Sequence, residues 1–266
     1  MDLEIRDRLA LITGGDSGIG FSTAQRLLRE GVRVALSDRE AAPLQAAVAE
    51  LSQFGEVRGF TADLTDERQV QGLHAQITAE MGNPDIVISA AGITGPTGLF
   101  HELTERDWKL VLDVNFLSAV RVAHAFIPAM QKAGWGRVLF VASEDAVQPY
   151  VDELPYCASK AAILSLAKGL SNTYGQYGIT VNTVSPAFIA TPMTDAMMEK
   201  RSARDKVSFD DAIKTFLEQE RPMMVVRRRG RAEEVAAAIA YLVSGQAGFT
   251  TGAVVRVDGG SVGTMV

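Results

Sequence analysis

Short apolar runs alternate with longer amphipathic stretches from Leu9 to Val257, and this change of period constrains the fold more than any other feature. The apolar runs fall at 9–12, 32–36, 57–62, 85–88, 138–142, 179–184 and 254–257. Those at 9–12, 86–88 and 138–142 are apolar at successive positions rather than at every second one, the pattern of strands buried on both faces. Between them, helical periodicity predicts helices over 17–30, 40–53, 66–80, 104–132, 158–174 and 232–244. Thr104 and Asp107 fit a capping box at the start of the long fourth helix, and Pro128 is expected to bend or shorten it. Strands separated by helices call for a parallel α/β sheet, doubly wound with helices on both faces. No repeat, linker or low-complexity segment interrupts the pattern, so residues 1–266 read as one domain. The longest departure from it lies at 187–229.

Charge narrows what such a sheet can serve. The 266 residues carry a net charge of −6, so no global positive field draws nucleic acid or an anionic membrane. Cys157 is the sole cysteine, and His74, His101 and His124 lie far apart without ligand spacing, so no metal site is expected. The first eight residues are charged where a signal peptide would be apolar. No apolar run reaches the ~18–20 residues that cross a bilayer. A soluble protein of the reducing cytoplasm is the expectation.

The sequence Thr13-Gly14-Gly15-Asp16-Ser17-Gly18-Ile19-Gly20 joins the first strand to the first helix. Glycines here let backbone amides approach a pyrophosphate at the positive end of that helix. The spacing G-x-x-x-G-x-G differs from the common G-x-G-x-x-G, and a glycine-rich turn that holds no ligand is the alternative. Asp38 ends the second strand, 20 residues beyond Gly18, where an acidic side chain accepts from an adenosine ribose. A solvated turn aspartate is the plainer reading of Asp38 taken alone. Asp63, ending the third strand, is a candidate partner for the adenine amino group.

Asp38 also bears on the choice between NAD and NADP. A carboxylate 4 Å from a 2′-phosphate is repelled by about 4 kcal/mol per charge pair at an effective dielectric near 20. Asp16 adds to the negative field and Arg39 opposes it, so NAD is expected over NADP.

Ser143 follows the fifth strand, at the carboxyl edge where open α/β sheets bind ligands. Tyr156 and Lys160 are four residues apart, which on a helix stacks them on one face. A phenol titrates near 10, and a neighbouring ammonium lowers that value toward working pH. A surface Tyr/Lys pair without chemistry is the alternative.

Taken together, these motifs resemble the short-chain dehydrogenase/reductase family over nearly the whole chain, which implies a Rossmann-type fold. Thr13-Gly14-x-x-x-Gly18-Ile19-Gly20 is similar to its cofactor motif, and Asn115, Ser143, Tyr156 and Lys160 match its catalytic tetrad. Asn182 to Pro186 with Thr191, Gly230 to Val235, and Val257 to Gly260 are similar to its later landmarks. Two positions depart: Ala90 stands before Ala91-Gly92 where the family has asparagine, and Ala232 replaces a common proline.

The resemblance implies that Tyr156 exchanges a proton with a substrate hydroxyl or ketone and that Ser143 hydrogen-bonds the same oxygen. Lys160 would lower the tyrosine pKa and bind the nicotinamide ribose, and Asn115 would hold a water. Gly14, Asp16, Ser17, Gly18, Ile19, Gly20, Asp38, Arg39, Asp63, Leu64, Ala91, Gly92, Pro186, Ile189 and Thr191 would line the nucleotide, with Tyr156 and Lys160. Region 187–229 would form a small helical lid over a small-molecule alcohol or ketone. Its methionines suit an adaptable cover, although packing two lid helices explains most of them as well. Glu144, Tyr150, Val151 and Met193 are candidate substrate contacts. Arg227-Arg228-Arg229 and Arg231 read as a solvated basic run. The family's pairing of helices between subunits implies a homotetramer. An NAD-dependent alcohol dehydrogenase or ketone reductase is the first expectation. An NADPH-dependent 3-oxoacyl reductase and a catalytically silent nucleotide sensor are the alternatives.

Overall fold

A computed structural model describes residues 2–265. Its strands are β1 (Leu9–Thr13), β2 (Arg33–Asp38), β3 (Val57–Thr61), β4 (Ile86–Ser89), β5 (Gly136–Val141), β6 (Ile179–Pro186), β7 (Ile189–Ala190), β8 (Gly230–Arg231) and β9 (Val254–Val257). The α-helices are α1 (Gly18–Arg29), α2 (Ala41–Leu51), α3 (Glu67–Glu80), α4 (Glu105–Leu112), α5 (Ser118–Ala133), α6 (Leu154–Tyr174), α7 (Pro192–Asp205), α8 (Phe209–Gln219) and α9 (Ala232–Leu242).

Seven strands form a sheet in the order β3-β2-β1-β4-β5-β6-β9, and every pairing is parallel. β1, β4, β5 and β6 are buried at every position, and β1, β4 and β5 are correspondingly apolar in runs. Successive side chains of β1 still face opposite ways. Ala10 and Ile12 join the core beneath α1, α2 and α9, whereas Leu9 and Leu11 join that beneath α3, α5 and α6. The strand order reverses between β1 and β4, so the loops at their carboxyl ends splay apart and leave a crevice.

The long helix departs from its sequence expectation in the middle. α4 begins on the Thr104 cap, where the Thr104 N–H donates to Asp107 Oδ2 at 2.8 Å. One π-helical turn, Asp113–Leu117, then joins it to α5. Such a bulge re-aims the residues within it, and here it carries Asn115 inward. Pro128 does not end the helix, which runs to Ala133 and closes on Gly134 in the left-handed conformation.

The whole stretch 105–133 is long and apolar enough to cross a bilayer by length and composition, which corrects the expectation that no segment qualifies. It is nevertheless packed against the sheet through Val122, Phe126, Ile127 and Met130, as the core helix of an α/β layer is. Phe126 is 1% exposed and meets His74 edge-on with ring centroids 4.9 Å apart. Phe126→Ala is expected to cost about 3–5 kcal/mol in urea unfolding, the usual result of emptying an aromatic core site.

α6 starts four residues earlier than its periodicity suggests, at Leu154, with Pro155 in the first turn where its missing N–H is not needed. Tyr156 therefore sits at the beginning of α6. Region 187–229 supplies α7 and α8, which share a separate core of Phe188, Met198, Phe216, Leu217 and Met224. Most of its apolar residues thus pack the two helices together.

Candidate active site

A cleft of about 370 Å³ opens at the reversal point, inside the range of small-molecule and cofactor sites. One wall is the loop from β1 to α1. Gly14 has φ +66°, and a Cβ there would lie 2.6 Å from the Ala91 nitrogen. At Gly20 a Cβ would stand 2.0 Å from the Gly14 carbonyl oxygen. Only glycines let this loop close on the helix and on the end of β4 at once. Asp16, Ser17, Gly18, Ile19 and Gly20 line the cleft beside Gly14. Ala90 leaves the junction to the main chain, its N–H donating to Thr13 O at 3.2 Å.

Asp38, Arg39, Asp63 and Leu64 line the far end. Burial pushes the Asp38 carboxyl above its ordinary range, the Arg39 amide bond opposes the shift, and the Asp16 charge adds to it. Two carboxylates therefore face the same end of the cleft. Arg39 is partly spoken for, with Nε 3.2 Å from Glu40 Oε1. Asp63 accepts from the Thr65 hydroxyl at 2.7 Å and its N–H at 2.9 Å, which hold its pKa below the usual value. One of its oxygens is thus committed to its own turn.

The near end gathers residues from three elements. Ser143 follows β5 by two positions, Tyr156 and Lys160 rise from the first turns of α6, and all three line the cleft. Asn115, buried in the π turn, donates to Ile93 O at 2.9 Å and Ser159 Oγ at 3.0 Å, and accepts from the Ile93 N–H at 2.8 Å. It does not line the cleft but braces its wall. Lys160 Nζ donates to Val141 O at 2.9 Å and stands 5.5 Å from the Tyr156 ring centroid.

The electrostatics differ from the sequence expectation. Burial lowers Lys160 to about 8, partly offset by the Asp145 charge. Burial also drives the Tyr156 phenol upward, and Asp145 drives it further, while Ser143 alone among its main neighbours draws it down. Lys160 is not among the main groups acting on Tyr156; its ammonium is desolvated and donates to the Val141 carbonyl.

Ala91, Gly92, Pro186, Ile189, Thr191 and Met193 also line the cleft. Glu144, Tyr150 and Val151 do not. The chain turns inward after Ser143 in a short 3₁₀ turn, Glu144–Ala146. That turn carries Glu144 into the interior, 3.4 Å from Arg221 Nε, and burial pushes its pKa up to about 7. Arg221 caps the Tyr150 ring at 3.4 Å, and Val151 is 72% exposed.

Three arginines of the basic run, Arg228, Arg229 and Arg231, are paired. Arg228 and Arg231 hold Glu234, whereas Arg229 is largely buried, 2.7 Å from Asp195, and also donates to Thr194 and Ile189 O. It ties the start of α7 to the cleft wall, a structural task that periodicity could not reveal. Asp145 and Arg221, buried behind Ser143, and the part-buried Glu153 were likewise not foreseen. Their one sequence signal is an acidic pair directly after a candidate serine. Among the described residues no cluster of His, Cys, Asp or Glu is arranged to hold a metal ion.

A family described as Enoyl-(Acyl carrier protein) reductase matches residues 14–262. The chain is 33% identical to the uncharacterized oxidoreductase YvrD of Bacillus subtilis, covering 98% of this chain and 99% of that protein. It is 35% identical to (3R)-3-hydroxyacyl-CoA dehydrogenase of Rattus norvegicus, over 97% of each. Among solved structures, L-sorbose reductase from Gluconobacter frateurii, complexed with NADPH and L-sorbose, superposes over all of both chains with a TM-score of 0.94 at 27% identity.

Proposed function

The chain belongs to the short-chain dehydrogenase/reductase family, and on that premise we propose that it moves a hydride between NAD(H) and a secondary alcohol or ketone of low molecular weight. That it is an oxidoreductase acting on alcohol and ketone groups is shared across its relatives. The observation that carries the reading here is the glycine cradle opposite the Ser143, Tyr156 and Lys160 side chains in one cleft.

The cleft fits a dinucleotide. Its loop is stripped of Cβ atoms where a pyrophosphate would approach, and α1 directs its positive end there. A bound nicotinamide nucleotide supplies the hydride donor or acceptor, the chemistry no side chain can perform. Pro186, Ile189 and Thr191, with Ala91 and Gly92, would flank the ring end, and Lys160 the ribose. Tyr156 holds and moves the proton of the substrate oxygen. Ser143 orients that oxygen, and Asn115 fixes the backbone at Ile93, beyond β4, that forms the wall. Residues 187–229 form the cover, with Met193 against the substrate. Leu110 and Leu117, 47% and 41% exposed along the long helix, fit the subunit pairing of a homo-oligomer.

The finer choice of NAD over NADP rests on Asp38 and Asp16 against one arginine that Glu40 engages. L-sorbose reductase is described with NADPH, so the choice needs a direct measurement. Titration of cofactor fluorescence is expected to give NADH at least tenfold tighter binding than NADPH. Asp38→Asn is expected to narrow that ratio about tenfold, or about 1.4 kcal/mol, less than the 4 kcal/mol full-charge figure because the carboxylate is only half-buried. Tighter binding of NADPH would show that Arg39 governs the pocket and favour the 3-oxoacyl-type reductase. Binding of neither would remove the nucleotide site from the reading.

A further inference from the structure

We propose that Arg221 is a positioning residue for this reaction: it latches the substrate cover to the turn that follows Ser143, and so sets how closely the cover meets a bound ketone or alcohol. This rests on the oxidoreductase reading above and specifies what holds its cover in place.

The cover hangs on two buried arginines. Arg229 pins the start of α7 through Asp195, beside Pro192, Met193 and Thr194, which line the cleft. Arg221, just past the end of α8, pins the other side. Its Nε lies 3.4 Å from Glu144 Oε1, one residue after Ser143, and its guanidinium carbon lies 3.4 Å from the centre of the Tyr150 ring. The same group stands 4.8 Å from the Phe216 ring of α8. One planar cation therefore joins α8, the turn after Ser143 and the loop before α6. Arginine suits this place because its face stacks on rings while its edge meets a carboxylate. Arg221 is 9% exposed and Glu144 1%. A solvated pair would contribute little, but here loss of one partner strands a buried charge.

The latch reaches the cleft through α7. Neither Arg221 nor any residue of α8 lines the cleft. Glu220 and Gln219, at the end of α8, hold Arg201 of α7 at 3.4 and 2.9 Å. Phe216, Leu217 and Met198 pack the two helices into one core. Freeing the end of α8 thus frees α7, and with it Met193 at the cleft. Charge supports the same seating. Arg221 attracts three carboxyl groups, Glu144, Asp145 and Glu153, drawn from the turn after Ser143 and the approach to α6. They hold the cation against the catalytic side of the cleft.

A buried pair can serve stability alone, so the measurement has to report on the cover itself. Hydrogen exchange of α8 peptides is followed by mass spectrometry at pH 8, above the value of about 7 to which burial raises Glu144. Arg221→Met keeps the stem and removes the guanidinium. In it, α8 is expected to exchange at least tenfold faster while β1 is unchanged. The KM for ethyl acetoacetate with NADH is expected to rise about tenfold, with kcat within threefold and NADH binding within twofold, the pattern of lost binding rather than lost chemistry. Glu144→Gln is expected to speed α8 exchange too, and Glu144→Gln/Arg221→Met no further than Arg221→Met alone, because both act through one latch. Exchange of α8 at the wild-type rate in Arg221→Met overturns the proposal, and so does a fall in kcat at unchanged KM. Should that variant not fold, Arg221→Lys keeps a charge beside Glu144 and loses the planar face, and its α8 exchange decides in the same way. The underlying reading fails differently: Tyr156→Phe would then still reduce ethyl acetoacetate with NADH at the wild-type rate, whatever α8 does.

Discussion

Tyr156→Phe is expected to lower turnover about a thousandfold while leaving NADH binding within about twofold. The change deletes one oxygen and leaves the ring in place, so packing of the first turn of α6 is conserved. General acid or base catalysis by a placed side chain contributes roughly 10²- to 10⁴-fold. The upper half of that range applies here because no other group is free to take over. Ser143 is engaged by Asp145 Oδ1 at 3.1 Å, and Lys160 Nζ by the Val141 carbonyl at 2.9 Å. Loss in kcat with little change in KM would mark an interaction made in the transition state. Steady-state reduction of ethyl acetoacetate, followed by NADH absorbance, measures it, with fluorescence titration as the binding control. Retention of most of the activity would assign the proton to another group and undo the proposed mechanism.

The catalytic chemistry was more legible in sequence than the substrate side, for a physical reason. Tyr156 and Lys160 are joined by one helical turn, so local spacing alone places them together. The glycine loop is also local, because its constraint comes from the backbone of Gly14 and the strand end that follows it in space. Asn115 is less direct: its placement depends on a π turn that shifts register by one residue, a feature periodicity averages away. Glu144 illustrates what sequence cannot supply. Its neighbour Ser143 lines the cleft, yet a single 3₁₀ turn sends Glu144 inward to Arg221, 77 residues later in the chain. The same long-range pairing explains Arg229, just before β8, whose partners Asp195 and Thr194 lie on α7. Charges that look solvated in a linear reading are buried when a distant segment brings a counter-charge. The Tyr156 environment follows this pattern too, burial and then the Asp145 charge pushing its pKa upward.

The glycine loop gives the other large effect. Gly20→Ala is expected to abolish measurable nucleotide binding, weakening NADH by at least a hundredfold, and to lower the melting temperature as well. Its Cβ would lie 2.0 Å from the Gly14 oxygen, 2.8 Å from the Gly14 carbonyl carbon and 3.1 Å from Gly15 Cα. All three are backbone atoms of the loop itself, so no side-chain rotation relieves the clash. The loop must lift from α1, and the amides that would meet a pyrophosphate move with it. Gly14 cannot retreat, because it already lies against Ala91 with φ +66°. Overpacking of this kind costs about 1–3 kcal/mol in stability, which a folded protein of ordinary stability survives, so the binding loss is measurable. Gly72→Ala is the matched control. Gly72 sits in α3 with nothing within 4 Å of an added Cβ, and alanine there is expected to stabilise by up to about 1 kcal/mol through helix propensity. If Gly20→Ala binds NADH as the wild type does, the loop yields more easily than its geometry allows. The pyrophosphate then has to be held by groups other than these amides.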